Sequence, residues 1–206
     1  MIPRAFRLYL ASRSPRRREL LGQIGVEFLP LLLRERAPRG PDVSEASLPG
    51  EQPEDYVRRI CQAKAGAAWT RILERRLVRH PVLAADTIVC AGRQLLGKPT
   101  DDADAARMLR LLSGTAHRVL TAVAIQSGRR FEMAVSESMV RFCELDPKDI
   151  AEYVESGEAM DKAGAYAIQG RAAMFIPEVR GSYSGVMGLP LYETAVLIQR
   201  ILAEDA

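Results

Sequence analysis

Asp86 lies inside VLAADTIVC (82–90), an almost unbroken apolar run. Burying a carboxylate without partners is costly, so such a site normally holds a cation or does chemistry. A strand-end Asp capping a turn is the plainer alternative, and Thr87 beside it is by default a strand-forming residue. Lys64 is the second anomaly. In the segment 53–77, Val57, Ile60, Cys61 and Ala68 form a helical apolar stripe, and Lys64 falls on it. Its ammonium either snorkels to the rim or points into a cleft. Lys98, in LGKP, sits between Gly97 and Pro99 on a stiff tether. GKPT is not the end of a phosphate-binding loop, because Pro99 takes the hydroxyl position and the upstream glycine is missing. In LASRSPRRREL (10–20), Ser12 and Ser14 are interleaved with Arg13, Arg16, Arg17 and Arg18. Hydroxyls, guanidinium forks and free helix N–H groups together make a candidate polyphosphate cradle; a solvated basic face is the bland alternative.

These residues need elements to hold them. FRLYLA (6–11) reads as a first strand. Ser14 caps a helix with Pro15 in its first turn, and Gly25 ends it. Arg17 heads the inward stripe of Leu20, Leu21 and Ile24. VEFLPLLL reads as a second strand. The Pro- and Gly-rich stretch 34–53 is long for a compact domain and reads as a lid or binding loop. A long helix (53–77) and a strand buried on both faces (81–92) follow. If that strand is regular, Asp86 and Thr87 face opposite sides. GRQLLGKPTDD reads as a loop, and DADAARMLRLLSG as a helix. HRVLTAVAIQ and FEMAVSESMVRFCEL read as strands joined through SGRR, and DPKDIAEYVESG as a helix. DKAGAYAIQG reads as a glycine-containing loop, RAAMFIPEVRG as a strand, and LPLYETAVLIQRILAED as the last helix. The pattern is α/β with a mixed sheet flanked by helices, and residues 1–206 read as a single domain.

Composition narrows the classes. The chain has 206 residues, 48% hydrophobic and 27% charged, with a net charge of +3. That balance suits an anionic ligand but is too mild to demand nucleic acid. Only four of its 29 basic residues are lysines, which singles out Lys64 and Lys98. Cys61, Cys90 and Cys143 have no metal-ligand spacing and read as buried thiols in a reducing, cytoplasmic compartment. No apolar stretch reaches membrane-spanning length. His80 and His117 read as structural, and no triad pattern makes Ser14 a nucleophile.

The motifs resemble the Maf family of nucleoside triphosphate pyrophosphatases, first described as septum-formation inhibitors. The resemblance runs from LASRSPRRRELLGQIGVEF through EDYVRRICQAKA, AADTIV, LGKPTDDADAARMLRLLSG and DKAGAYAIQG to GSYSGVMGLPLYET. It implies an elongated sheet similar to the inosine-triphosphate pyrophosphatases, with two lobes and a central cleft. It also implies hydrolysis between the α and β phosphates, a divalent cation (Mg2+ or Mn2+) and a homodimer. By resemblance Asp86 is the general base and a metal ligand. Ser12, Arg17, Lys64 and Lys98 match the family's phosphate-contacting set, and Glu35 assists metal or water. Arg16 after SP, Thr87 after Asp86 and Gln169 in AIQG resemble the type acting on dTTP and UTP. Gln169 has the donor and acceptor to pair with a pyrimidine edge. LLLRERAP carries only one acid, Glu35, where the family often has two or more, and Ala167 replaces a glycine. The alternative is a non-enzymatic regulator binding nucleotides or division proteins; a third is nucleic-acid binding through the arginines. A simple phosphate binder needs no buried acid opposite its cations.

Overall fold

The computed structural model describes residues 2, 3, 5–34 and 40–203. Its elements in chain order are β1 (Arg7–Leu10), α1 (Pro15–Gln23), β2 (Glu27–Pro30), α2 (Pro53–Glu74), β3 (Val82–Ala91), β4 (Gln94–Leu96), α3 (Asp102–Leu112), β5 (Ala116–Ser127), β6 (Arg130–Arg141), α4 (Pro147–Glu155), β7 (Glu178–Arg180), α5 (Tyr183–Met187) and α6 (Leu191–Ala203). The strands form one seven-stranded sheet in the order β2-β1-β3-β5-β6-β7, with β4 on β3. β1 runs parallel to β2 and β3; β3–β4 and β6–β7 are antiparallel. The sheet is therefore mixed, as the pattern predicts.

The chain divides into two compact units. The first takes in the chain up to Asp86, Thr121–Val135 and the chain from Gly188; the second is Thr87–Leu120 and Ser136–Met187. In the first unit Leu8, Leu10, Leu20, Leu21, Ile60 and Leu83 are fully buried. The long helix α2 buries Val57, Ile60, Cys61, Ala65, Ala68 and Ile72, so the stripe read from spacing is its core face. In the second unit Phe142 and Tyr153 are the large buried rings, and Phe142 meets His117 and Tyr166 edge-on at 5.2 and 4.9 Å. Among the described residues no helix is long and apolar enough to cross a membrane.

Several expectations need correction. Ser14 occupies the N-cap position of α1, but its side chain makes no capping bond; its N–H donates to Ser12 Oγ at 3.2 Å instead. The loop expected at 92–102 contains β4, because Leu96 is fully buried and Gly92, at φ 58°, turns the chain back onto β3. The strand expected at 171–181 is a 3-10 turn (Arg171–Phe175) followed by β7. Its buried residues Ala172 and Phe175 are three apart, the period of that turn. Cys61 and Cys90 are buried, but Cys143 is exposed, one position past the buried Phe142.

Candidate active site

In the first unit four charged side chains converge. Lys64 Nζ donates to Asp86 Oδ1 at 2.7 Å and pairs with Glu45 Oε1 at 2.6 Å. The Lys64 and Asp86 side chains are 16% and 11% exposed, whereas Glu45 is 54% exposed. Lys64 arrives there because it lies on the inward stripe of α2; Asp86 arrives at the last position of β3 within this unit. Arg17, on α1, donates from Nε to the Gly188 carbonyl at 2.7 Å and from Nη1 to Ser12 Oγ at 3.2 Å. Ser12 is buried and accepts both this bond and that of the Ser14 N–H. Arg16 is half-buried, while Arg13 and Arg18 are exposed, so the cluster at 13–18 is partly a solvated face.

The electrostatics follow from burial and pairing. Burial pushes the Asp86 carboxyl up, against the opposing pull of Lys64 and Arg17. Burial would lower Lys64, but Asp86 and Glu45 outweigh it and raise the ammonium above its usual value. A lysine touching two carboxylates within 2.7 Å favours the ion pair over a neutral one, so we describe Asp86 as a carboxylate with raised basicity. Burial lowers Arg17, opposed by Asp86. Tyr56 and Cys61 are each pushed up to about 12, by burial first and then by the Asp86 charge. Cys61 is thus an inert thiol whose Sγ bonds the Ala84 carbonyl at 3.5 Å.

Glu45 is the residue that sequence reasoning missed. It comes from the long loop, whose residues 40–52 are pinned to α2. Tyr56 donates its hydroxyl to the Glu45 carbonyl at 2.9 Å. Arg59 binds Glu51 at 2.5 Å and the Ala46 carbonyl at 3.0 Å. Arg71, itself buried, pairs with Asp42 at 2.8 Å, and Asp42 also accepts from the Arg34 N–H at 2.6 Å. Burial would raise the Asp42 carboxyl, but its Arg34 and Arg71 partners hold it below the usual range. Glu35, expected as the acid of this stretch, lies outside the described residues. A hint of Glu45 was available in the loop length and in a lysine on the facing helix; its own spacing offered none.

The remaining expected residues belong to the second unit. β3 is unbroken from Val82 to Ala91, so alternation gives Asp86 and Thr87 opposite faces. Lys98 follows Gly97, whose carbonyl accepts the Gly164 N–H at 3.0 Å. Gly164 has φ 70°, and a Cβ there would lie 2.9 Å from the Val89 side chain. The glycine of DKAGAY is therefore required by close approach to β3. Gln169 is exposed, in the turn that follows. His117, as expected, is structural: buried, with Nε2 2.9 Å from the Tyr166 hydroxyl.

The sequence matches known proteins along most of its length. A family model described as Maf-like protein matches residues 7–201. The dTTP/UTP pyrophosphatase of Ralstonia nicotianae is 56% identical over 192 residues, covering 93% of this chain and 92% of that protein. The dTTP/UTP pyrophosphatase of Aromatoleum aromaticum is 55% identical over 201 residues, 97% of each chain. That of Nitrosospira multiformis is 54% identical over 193 residues, 94% of this chain and 93% of its own. With the match reaching from β1 into α6 through both units, the chain belongs to the Maf-like protein family.

Proposed function

We propose that this chain is a nucleoside triphosphate pyrophosphatase that converts UTP and dTTP to the monophosphate and pyrophosphate, with residues 1–206 acting as one functional domain. The observation that carries it is the buried Asp86 carboxylate held by Lys64, with Glu45 on the same ammonium and Arg17 as a second cation. Full-length relatives named as dTTP/UTP pyrophosphatases support the substrate class.

Each residue has a task in this reading. Arg17, oriented by Ser12 and Gly188, brings its guanidinium charge to the phosphate oxygens. Arg16, Lys64 and the N–H groups opening α1 add positive charge. Asp86, made more basic by burial, takes a proton from the attacking water. The water oxygen bonds to the α phosphorus, the bond to the bridging oxygen breaks, and pyrophosphate departs. Lys64 and Lys98 stabilise the negative charge that develops on it. Thr87 and Gln169 are assigned to the nucleoside end.

A divalent cation fits the donor set. Asp86 and Glu45 bring two carboxylates to one ammonium. Mg2+ and Mn2+ favour oxygen ligands, and Mg2+ commonly uses one or two carboxylates plus substrate phosphates. Among the described residues no group of three or more His, Cys, Asp or Glu side chains is placed to hold a metal ion. When bound, the cation supplies charge neutralisation and a more acidic water.

The test is pyrophosphate release from UTP with and without Mg2+. Asp86→Asn keeps the fold, by circular dichroism, and loses turnover by at least about a hundredfold. Near-normal turnover in a folded Asp86→Asn protein overturns the assignment.

A further inference from the structure

Tyr153 and Glu158 belong to none of the motifs above, yet they bracket the turn that carries Gln169. The Ala167–Gly170 segment closes with the Gly170 N–H donating to the Ala167 carbonyl at 3.0 Å, so Gln169 is the third of four turn residues. Both shoulders of the turn are held. On one side the Ala167 N–H donates to the Tyr153 hydroxyl at 3.1 Å, and that hydroxyl donates onward to Glu158 Oε1 at 2.9 Å. On the other, the Arg171 N–H donates to Glu158 Oε2 at 3.2 Å. The carboxylate lies so close over Gly170 that a Cβ there would overlap it. Tyr153 is itself fixed: it is 2% exposed and meets the Phe175 ring edge-on at 5.7 Å.

The geometry has a clear sense. A backbone N–H feeds a buried phenol, the phenol feeds a carboxylate, and that carboxylate returns to the backbone beyond the turn. One acid and one phenol thus fix the backbone on either side of a single exposed residue. Two shoulder bonds restrain the height and tilt of the turn, while Gln169 keeps its amide free of this network's bonds. A reader of hydrogen-bonding edges needs such a rigid base, because an amide displaced by an ångström loses the alignment its bonds require.

We propose that Tyr153 and Glu158 set nucleobase selectivity as positioning residues, by clamping the turn that presents Gln169. This rests on the reading of Gln169 as the residue that meets the base. The clamp acts on recognition of the base rather than on the phosphates.

Three variants test it: Tyr153→Phe, Glu158→Gln and Gln169→Ala. Tyr153→Phe removes the hydroxyl's bonds with Ala167 and Glu158 and keeps the ring against Phe175. Glu158→Gln keeps the volume and replaces one acceptor oxygen by a donor, so a second variant stands if the first fails to fold. The readouts are kcat and KM for UTP, CTP and ATP, and the inhibition constant of inorganic triphosphate, which has no base. Expected for both clamp variants is a rise in KM for UTP with little change in kcat. The preference for UTP over CTP and ATP falls about tenfold, the worth of a well-made hydrogen bond. Inhibition by triphosphate stays at the parent value. If Gln169→Ala loses the preference while the clamp variants keep it, the clamp is overturned and the base reading stands. If the clamp variants lose activity equally on every nucleotide and on triphosphate binding, their role is purely structural and the proposal fails. If Gln169→Ala keeps the parent preference, the base reading fails and the proposal falls with it.

Discussion

Replacing Lys64 by methionine tests the charge arrangement at its centre. The substitution keeps an unbranched chain on α2 and removes the ammonium that Asp86 and Glu45 share. Both members of the Lys64–Asp86 pair are almost fully withdrawn from water, at 16% and 11% exposure. Removing one partner of a buried pair costs about 3–5 kcal/mol, mostly through the charge left behind. Two features place this case near the lower bound, about 3 kcal/mol. Arg17 remains as a second cation toward Asp86, and Glu45, half-exposed, can turn to solvent. The pH dependence has a definite sign. Without Lys64 the Asp86 pKa, already raised by burial, rises further. A raised group adds stability that is full below its unfolded value and lost as pH climbs through its folded one. The deficit of the variant therefore shrinks on acidification and grows toward neutrality. The double variant Lys64→Met/Asp86→Asn strands neither member of the Lys64–Asp86 pair and recovers about 2 kcal/mol. Urea unfolding followed by Trp69, the single tryptophan, reads this directly, since Trp69 is on α2 in the same unit. A Lys64→Met protein within about 0.5 kcal/mol of the parent at neutral pH refutes the pairing. So does a double variant no more stable than the single one.

His117 is lowered to about 4 by burial, so it folds neutral; relative to its ordinary value, stability is lost as pH falls from about 6.5 toward 4, by about 3 kcal/mol. Denaturant titrations of parent and His117→Leu at pH 7 and pH 5 should show a smaller acid loss in the variant; parallel losses count against a neutral buried imidazole. Gly164→Ala forces a left-handed backbone on alanine and drives its Cβ into Val89, so a loss of more than about 2 kcal/mol is expected, seen as a lowered melting temperature; an unchanged melting temperature would show that the segment does not approach β3 as described. Asp42→Ala strips Arg71 of its carboxylate and Arg34 of its anchor, so limited proteolysis should cut the 40–52 loop faster than in the parent; equal rates would mean that these ion pairs do not hold the loop down.

The parts of this site that could be read from sequence are those that violate a local period. Asp86 interrupts a run that β3 buries, and Lys64 interrupts a stripe that α2 buries, so each is conspicuous against a regular background, and the structure joins the two at 2.7 Å. Glu45 interrupts nothing: a loop has no period, and its carboxylate reaches Lys64 only because Tyr56, Arg59 and Arg71 tie that loop to the helix. The same reason hides Tyr153 and Glu158. Tyr153 looks like ordinary apolar face on α4, and Glu158 like an exposed acid after a turn; their pairing becomes visible only when the chain folds back through Gly170. Ser12 and Ser14 differ by two positions and by nothing in composition, yet only Ser12 receives Arg17. Sequence periodicity thus exposes the charges that burial makes expensive. It conceals those that loops deliver, and in this protein the loops deliver the second carboxylate and the turn that holds Gln169.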